Sequence, residues 1–277
     1  MARTIVITGA SGGIGRGLAL EYAEAGTVLA LTGRDEERLQ AVAEACRSRG
    51  AVVQTGALDV RDTEALVDWL QAIDARHPVD LAIANAGVVS GAGPAHGSEP
   101  LATALRVIDV NLKGAIATVS ALADRMRARR SGHLAVMSSL AGLATQPDLP
   151  SYSAGKAGLI SYGAALRIRL RPHGVAVTVI CPGYIESPML QRQRSPKPFA
   201  WPAEKAARHI RRGLDRRRRM IAFPWQLMLG IRLLPLAPPF LHDWIMAGFA
   251  AEIVPDAEGI RERGTEPESL HPPSGMS

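Results

Sequence analysis

Tyr152 and Lys156 stand four residues apart in the run Tyr152-Ser153-Ala154-Gly155-Lys156. On a helix, that spacing puts both side chains on one face. A free tyrosine titrates at about 10, too high for an efficient proton donor and acceptor at neutral pH. A nearby ammonium favours the phenolate and draws that value towards the working range. Such pairs arise on many helices by chance, so companions must give this one meaning. Ser139 ends an apolar run in Met137-Ser138-Ser139-Leu140-Ala141-Gly142, and its hydroxyl can bond a substrate oxygen while Tyr152 moves the proton. Asn111 lies inside a long helical segment, where an amide is mildly unfavourable unless it has another task.

A second group of residues suits a phosphate. The segment Thr8-Gly9-Ala10-Ser11-Gly12-Gly13-Ile14-Gly15 follows an apolar strand and opens a helix. Glycines permit the tight turn and let a pyrophosphate approach backbone amides at a helix N-terminus. Two spacings fit: Gly9, Gly13 and Gly15, or Gly9, Gly12 and Gly15. The next strand ends in Leu31-Thr32-Gly33-Arg34, where an acidic residue would select NAD through the ribose hydroxyls. Gly33 holds that place, and the Arg34 guanidinium can grip a 2′-phosphate, so NADP(H) is preferred and NAD(H) is the alternative. Asp35 either neutralises Arg34 or caps the following helix.

These residues need a scaffold that brings strand ends together. Strands are expected at Thr4–Ala10, Thr27–Gly33, Val52–Val60, Asp80–Gly87, His133–Ser139, Ala176–Gly183 and Arg219–Pro224. They are nearly continuous apolar runs, as strands covered on both faces should be. Helices are expected at Gly15–Ala25, Asp35–Arg49, Asp62–Arg76, Leu101–Arg130, Ser151–Arg171 and Pro202–Asp215, the last with Ala206, Ala207, Ile210 and Leu214 at core spacing. Alternation of this kind predicts an α/β fold: a doubly wound, seven-stranded parallel (Rossmann) sheet with helices on both faces. Such a sheet binds ligands beyond the carboxyl ends of its strands, where the motifs above fall.

The order of motifs resembles that of the short-chain dehydrogenase/reductase family from about Thr4 to Met189, and more loosely to the strand near Pro224. In that family the matching Asn111, Ser139, Tyr152 and Lys156 form a catalytic tetrad. The resemblance implies that Tyr152 is the acid and base and that Ser139 steadies the carbonyl oxygen. It implies that Lys156 lowers the tyrosine pKa and bonds the nicotinamide ribose, and that Asn111 holds a water in a proton relay. Ser139 is preferred over Ser138 because it stands three residues before Gly142, as in the family pattern. The glycine loop, with Ser11 and Ile14, takes the pyrophosphate, and Asp59 and Val60 resemble a pair that contacts adenine. Asn85, Ala86 and Gly87 steady the sheet beside the cofactor. Pro182, Gly183, Ile185 and Ser187 abut the nicotinamide, with Ser187 where the family usually has Thr. The family's epimerase branch needs a larger C-terminal substrate domain than this chain has room for, so the single-domain branch is expected. The implied activity is hydride transfer between NADP(H) and a small carbonyl or secondary alcohol substrate. Helices 101–130 and 151–171 resemble the pair that builds homodimers or homotetramers in this family.

Bulk composition sets limits. The chain has 277 residues, 47% hydrophobic and 21% charged, which is an ordinary globular balance. A net charge of +6 invites nucleic acid, with arginines dense at Arg211, Arg212 and Arg216 to Arg219. Aromatic residues are only 4% and none interleaves with those arginines, so a base-stacking platform is not expected. Two isolated cysteines, Cys46 and Cys181, give neither a disulfide framework nor a metal cluster and suit a reducing compartment. With no apolar leader before the first strand, the cytoplasm is the expected location.

The domain organisation expected is a catalytic unit over 1–224, with a lid at about 184–202, an apolar extension over 225–254 and a loose tail over 255–277. The extension is too short and too broken by Arg232 and prolines to span a bilayer. It packs on the domain or a partner, walls the substrate pocket, or lies on a membrane surface beside Arg216 to Arg219. Other activities stay open: an NAD-linked alcohol dehydrogenase, a membrane-peripheral lipid or sterol reductase, and a non-catalytic NADP-binding sensor.

Overall fold

Alternate side chains of the central strands fall into two different cores. In β1 (Arg3–Thr8), Ile5 and Ile7 join one core and Val6 the other, the period of two that an extended chain imposes. The computed structural model describes residues 3–91, 98–236, 238, 240 and 252–253. After β1 come α1 (Gly13–Tyr22), β2 (Thr27–Gly33), α2 (Glu36–Arg47), β3 (Val52–Ala57), α3 (Thr63–Arg76) and β4 (Leu81–Ala84). Then follow α4 (Leu101–Ile108), α5 (Gly114–Ala128), β5 (Gly132–Met137), α6 (Pro150–Leu170) and β6 (Val175–Pro182). The chain continues through α7 (Pro188–Gln191), β7 (Gln193–Arg194), α8 (Ala203–Asp215), β8 (Met220–Phe223), α9 (Trp225–Leu233) and β9 (Glu252–Ile253).

The main sheet has seven strands in the order β3-β2-β1-β4-β5-β6-β8, and every neighbouring pair is parallel. Helices α1, α2 and α8 cover one face; α3, α5 and α6 cover the other. This is the doubly wound sheet that the sequence predicts. The order reverses between β1 and β4, so the loops after those strands splay apart and leave a cleft. Helix α8 is seated by Ala206, Ala207, Ile210 and Leu214, and the two larger residues each contribute about 2 kcal/mol of apolar burial.

Most elements end within a few residues of expectation, and three of the differences have a clear physical reason. Strand β4 ends at Ala84 instead of Gly87 because the next two amides leave the ladder. The Thr8 hydroxyl accepts from the N–H of Asn85 at 3.0 Å and of Ala86 at 3.1 Å. Strand β3 ends at Ala57 instead of Val60, where the chain turns towards α3, capped by Asp62 at the N–H of Ala65. The expected single helix over 101–130 is interrupted at Asp109–Lys113 by a wider π turn. Asn111 sits in that turn, fully buried, and its amide is spent on Val88. Oδ1 accepts from the Val88 N–H at 2.9 Å and Nδ2 donates to the Val88 carbonyl at 2.8 Å.

The basic cluster and the apolar extension, adjacent in sequence, separate in space. Arg216 to Arg219 precede β8 and Trp225 opens α9 after it, so the four-residue strand holds them roughly 13 Å apart at opposite ends of the sheet. Helix α9 packs Leu227, Met228 and Ile231 inward and leaves Trp225, Leu229 and Leu233 exposed. Beyond it, β9 pairs antiparallel with β7. The expected tail at 255–277 lies outside the described residues, as does most of 237–251.

One buried titratable group makes the sheet sensitive to acid. His133 on β5 is 4% exposed. Thr178 gives its hydroxyl proton to the Arg218 carbonyl at 2.6 Å, so its oxygen accepts from His133 Nε2 at 2.8 Å. Burial, helped by the charges of Arg217 and Arg3, pushes the imidazole down from 6.5 to about 4. The folded state therefore keeps His133 neutral while the unfolded state takes up a proton. Stability is fully present above pH 6.5 and falls as the pH drops to about 4, by about 3 kcal/mol in all. Urea unfolding across that range should show this slope, and His133→Gln should flatten it.

Candidate active site

The glycine loop is built by close backbone contacts before any ligand is considered. Gly9 adopts φ +67°, and a Cβ there would meet the Ala86 Cα at 2.7 Å. A Cβ on Gly15 would overlap the carbonyl of Gly9 and the amide of Asn85. Asn85 holds this contact from the other side, donating Nδ2 to the carbonyls of Thr8 at 2.9 Å and Gly9 at 3.1 Å. Gly12, in contrast, faces open space, with nothing within 4 Å of an added Cβ. Helix α1 starts after Gly12 with no side-chain cap on its first amides. An uncapped helix start beneath a bare loop is a ready anion site.

From this loop a cavity of about 1500 Å³ runs across the carboxyl ends of the strands to α9. It brings together Gly9, Ser11, Gly12, Gly13, Ile14, Arg34, Asp59 and Val60 at one end, with Asn85, Ala86, Gly87 and Asn111 beside them. Ser139, Tyr152, Lys156, Pro182, Gly183, Ile185 and Ser187 share its wall. Gly15 does not reach the wall; it lies beneath the loop, where its missing side chain permits the packing on Gly9.

Helix α6 carries Tyr152 and Lys156. The Tyr152 phenol lies beside Ser139, whose side chain acts to lower its pKa. Ser139 Oγ accepts from the Ala141 N–H at 3.1 Å and lies 3.4 Å from the Pro182 carbonyl, which fixes it at the end of β5. Its neighbour Ser138 is buried and donates to the Lys156 carbonyl at 2.7 Å, a tie between β5 and α6. Lys156 is 3% exposed; its Nζ donates to the Met137 carbonyl at 2.8 Å and stands 5.5 Å from the centre of the Tyr152 ring. Gly87 makes room for Asn111, since a Cβ there would stand 2.8 Å from Asn111 Oδ1.

Burial dominates the electrostatics. It pushes Lys156 down to about 8 and raises the Tyr152 phenol, with the Ser139 hydrogen bond acting in the opposite direction. Sequence reasoning expects the ammonium to depress Tyr152, whereas in the folded chain desolvation of the phenol is the larger influence. Burial also raises the Cys181 thiol to about 11, which leaves it an unreactive core residue behind Lys156. Asp59 is drawn below its usual range: burial acts to raise it, but Arg61 overcomes this with contacts at 2.7 and 3.0 Å. Asp35 caps α2 at the N–H of Arg38. Ser187 caps α7 at the N–H of Leu190 and donates to the Ile185 carbonyl.

Several residues of the wall carry no strong sequence signal. Beneath the wall, Thr8 is in sequence only the residue before Gly9, yet its hydroxyl ends β4. Arg61 directly follows the Asp-Val pair, Gln146 and Tyr184 sit in loops without periodicity, and Gln193 opens the two-residue β7. Segment 184–202 is pinned at both ends: Trp201 donates to the Tyr184 carbonyl at 3.0 Å and accepts from the Glu186 N–H at 2.9 Å. Trp201 also stacks on Phe223 at 4.9 Å, with Lys205 4.2 Å from its ring centre. Among the described residues there is no cluster able to hold a metal ion and no helix long and apolar enough to cross a membrane.

The comparisons agree with this architecture. The profile of the short chain dehydrogenase family matches residues 3–198. The chain belongs to the short-chain dehydrogenase/reductase family. It is 37% identical over 243 residues to an uncharacterized oxidoreductase of Myxococcus xanthus, covering 87% of this chain and 95% of that one. A short-chain dehydrogenase from Sphingobium yanoikuyae in complex with NADPH superposes with a TM-score of 0.72 at 24% identity, covering 84% of this chain and 95% of the other. A short chain dehydrogenase from Mycobacterium paratuberculosis bound to NAD gives 0.70 at 21%, covering 80% and 95%. At those identities the two structures speak for the fold alone.

The loop packing separates two glycines experimentally. Gly15→Ala should destabilise the protein by about 1–3 kcal/mol through the forced overlap. Gly12→Ala should leave the melting temperature near that of the wild type; an equal loss in both variants would contradict the contacts described.

Proposed function

We propose that this protein is an NADP(H)-dependent oxidoreductase that interconverts a carbonyl group and a secondary alcohol, with Tyr152 as acid and base. One arrangement carries the reading. The Tyr152 phenol, beside Ser139 and the buried Lys156 ammonium, opens into the same cavity as the bare glycine loop. When bound, the nicotinamide supplies or takes the hydride. Tyr152 gives its proton to the substrate oxygen in reduction, and the Ser139 hydroxyl donates a second hydrogen bond as charge develops there. Burial keeps the phenol protonated, which suits a donor, and the Lys156 charge stabilises the phenolate left behind. Asn111 acts through the widened turn that its side chain helps to hold, keeping a water in the relay towards Lys156.

The cofactor would lie along the cavity as family resemblance implies. Ser11, Gly12, Gly13 and Ile14 take the pyrophosphate, Asp59 and Val60 the adenine, and Arg34 the 2′-phosphate. Tyr152 and Lys156 hold the ribose of the nicotinamide, with Pro182, Gly183, Ile185 and Ser187 beside the ring. An NAD-selecting carboxylate is disfavoured at Gly33, where a Cβ would stand 3.0 Å from the Ser11 hydroxyl. The NADPH and NAD named for the two solved neighbours belong to those proteins, so NADP preference here rests on Arg34 and Gly33.

Residues 184–202 serve as the substrate lid, and α9 as its outer wall. Assembly into a homodimer or homotetramer through the faces of α4 to α6 is supported by exposed Leu101, Leu105 and Ile168.

Two measurements test this reading. Tyr152→Phe should lower kcat for carbonyl reduction by roughly 10²–10⁴-fold with NADPH affinity retained, and undiminished turnover would overturn the assignment. Arg34→Asp should shift the NADPH over NADH preference by roughly tenfold to a hundredfold; an unchanged ratio would remove Arg34 from cofactor selection.

A further inference from the structure

The cavity contains a second phenol. Tyr184 follows Pro182-Gly183 and shares the wall with Gln146 and Gln193. Gln146 Nε2 donates to the Tyr184 hydroxyl at 3.1 Å, and the Gln193 side chain lies near enough to act on the same phenol. Both contacts act to lower the phenol's pKa, as donors to its oxygen do. Neither amide is loose. The Gln146 backbone N–H donates to the Ser153 hydroxyl at 3.2 Å, next to Tyr152 in the chain. Gln193 is 5% exposed and its Nε2 also donates to Ser195 Oγ at 2.9 Å.

A phenol has one proton to give and an oxygen that accepts. At Tyr184 the Gln146 amide occupies the accepting side, which leaves the O–H unspent. Among the described residues, no other side chain bonds this hydroxyl. Burial raises its pKa beyond that of a free tyrosine, so the proton stays in place throughout the working range. The same cavity wall also carries the apolar Leu149, Met189, Leu227 and Ile231. A half-buried donor beside such side chains gains from an acceptor brought in by the ligand.

We propose that Tyr184 is a second substrate-binding donor, oriented by Gln146 and Gln193, and that the substrate is an apolar carbonyl compound with a further oxygen acceptor, such as a keto ester. The inference rests on the reductase reading for the reacting carbonyl, while the donor at Tyr184 is a matter of binding alone. Tyr184 acts on the substrate directly; Gln146 and Gln193 are positioning residues.

The test uses the full chain loaded with NADPH and a matched pair of ligands. One is a medium-chain β-keto ester; the other is the ketone with a methylene in place of the ester carbonyl. Calorimetric titration should show the wild type binding the keto ester about tenfold more tightly, the size of one hydrogen bond to a neutral acceptor. Tyr184→Phe should remove most of that preference by weakening the keto ester about tenfold more than the ketone. Gln146→Glu keeps the size but replaces the amide donor by a carboxylate that captures the Tyr184 proton. It should cause the same loss of preference, with KM for the keto ester rising far more than kcat falls. No preference in the wild type, binding of neither ligand, or equal weakening of both by Tyr184→Phe would overturn the proposal. Preferential binding of the keto ester without NADPH consumption would support Tyr184 as a donor and sink the reductase reading instead.

Discussion

A primary ammonium held almost entirely out of water is the demand around which this fold is arranged. Lys156 loses its hydration on burial and must recover hydrogen bonds from the protein. The Met137 carbonyl at the end of β5 provides one. The surrounding chain then has little freedom. Gly142 must lack a side chain, since a Cβ would meet the Lys156 carbonyl carbon at 2.6 Å, and Gly87 must lack one to leave room for the Asn111 amide oxygen. Ser138 bonds the Lys156 carbonyl, so β5 and α6 are locked at that residue. The stretch from Met137 to Gly142 and helix α6 are thereby fixed against each other at one residue, and the Tyr152 phenol takes its place from the same helix.

The cost of burying that cation is met by the parallel sheet. Its strands are covered on both faces and end together, and their last carbonyls and first loop residues supply polar groups inside an apolar shell. Thr8 and Asn85 show the same economy. One hydroxyl ends β4 and one amide fastens the glycine loop, so the cleft between β1 and β4 is shaped by side chains that never contact a reacting atom.

Much of this could be read from the residues alone. Uninterrupted apolar runs placed all seven strands of the sheet, and the spacing of Ala206, Ala207, Ile210 and Leu214 placed α8. The oddness of an asparagine inside a helix pointed to Asn111, and its bonds to Val88 explain why that helix widens there. The strand end at Ala84 was not legible because a long-range partner, the Thr8 hydroxyl, sets it, not local propensity. The same holds for the bond from Gln146 to Tyr184, which joins residues 38 positions apart. Charge patterning misled in one respect: arginines next to an apolar segment in sequence sit at the other end of β8 from it.

The clasp that Trp201 makes with Tyr184 and Glu186 turns the segment between them into a closed ring of chain whose ends do not depend on its contents. Closing such a ring costs conformational entropy that grows only with the logarithm of its length; doubling it adds about 0.6 kcal/mol. Residues 187–200 can therefore lengthen, shorten or change composition at small expense to the fold. The anchoring stack on Phe223 and the strand ends beneath it are untouched by such change. In evolutionary terms a loop clasped in this way is free to be remade while the strand ends beneath it keep their geometry.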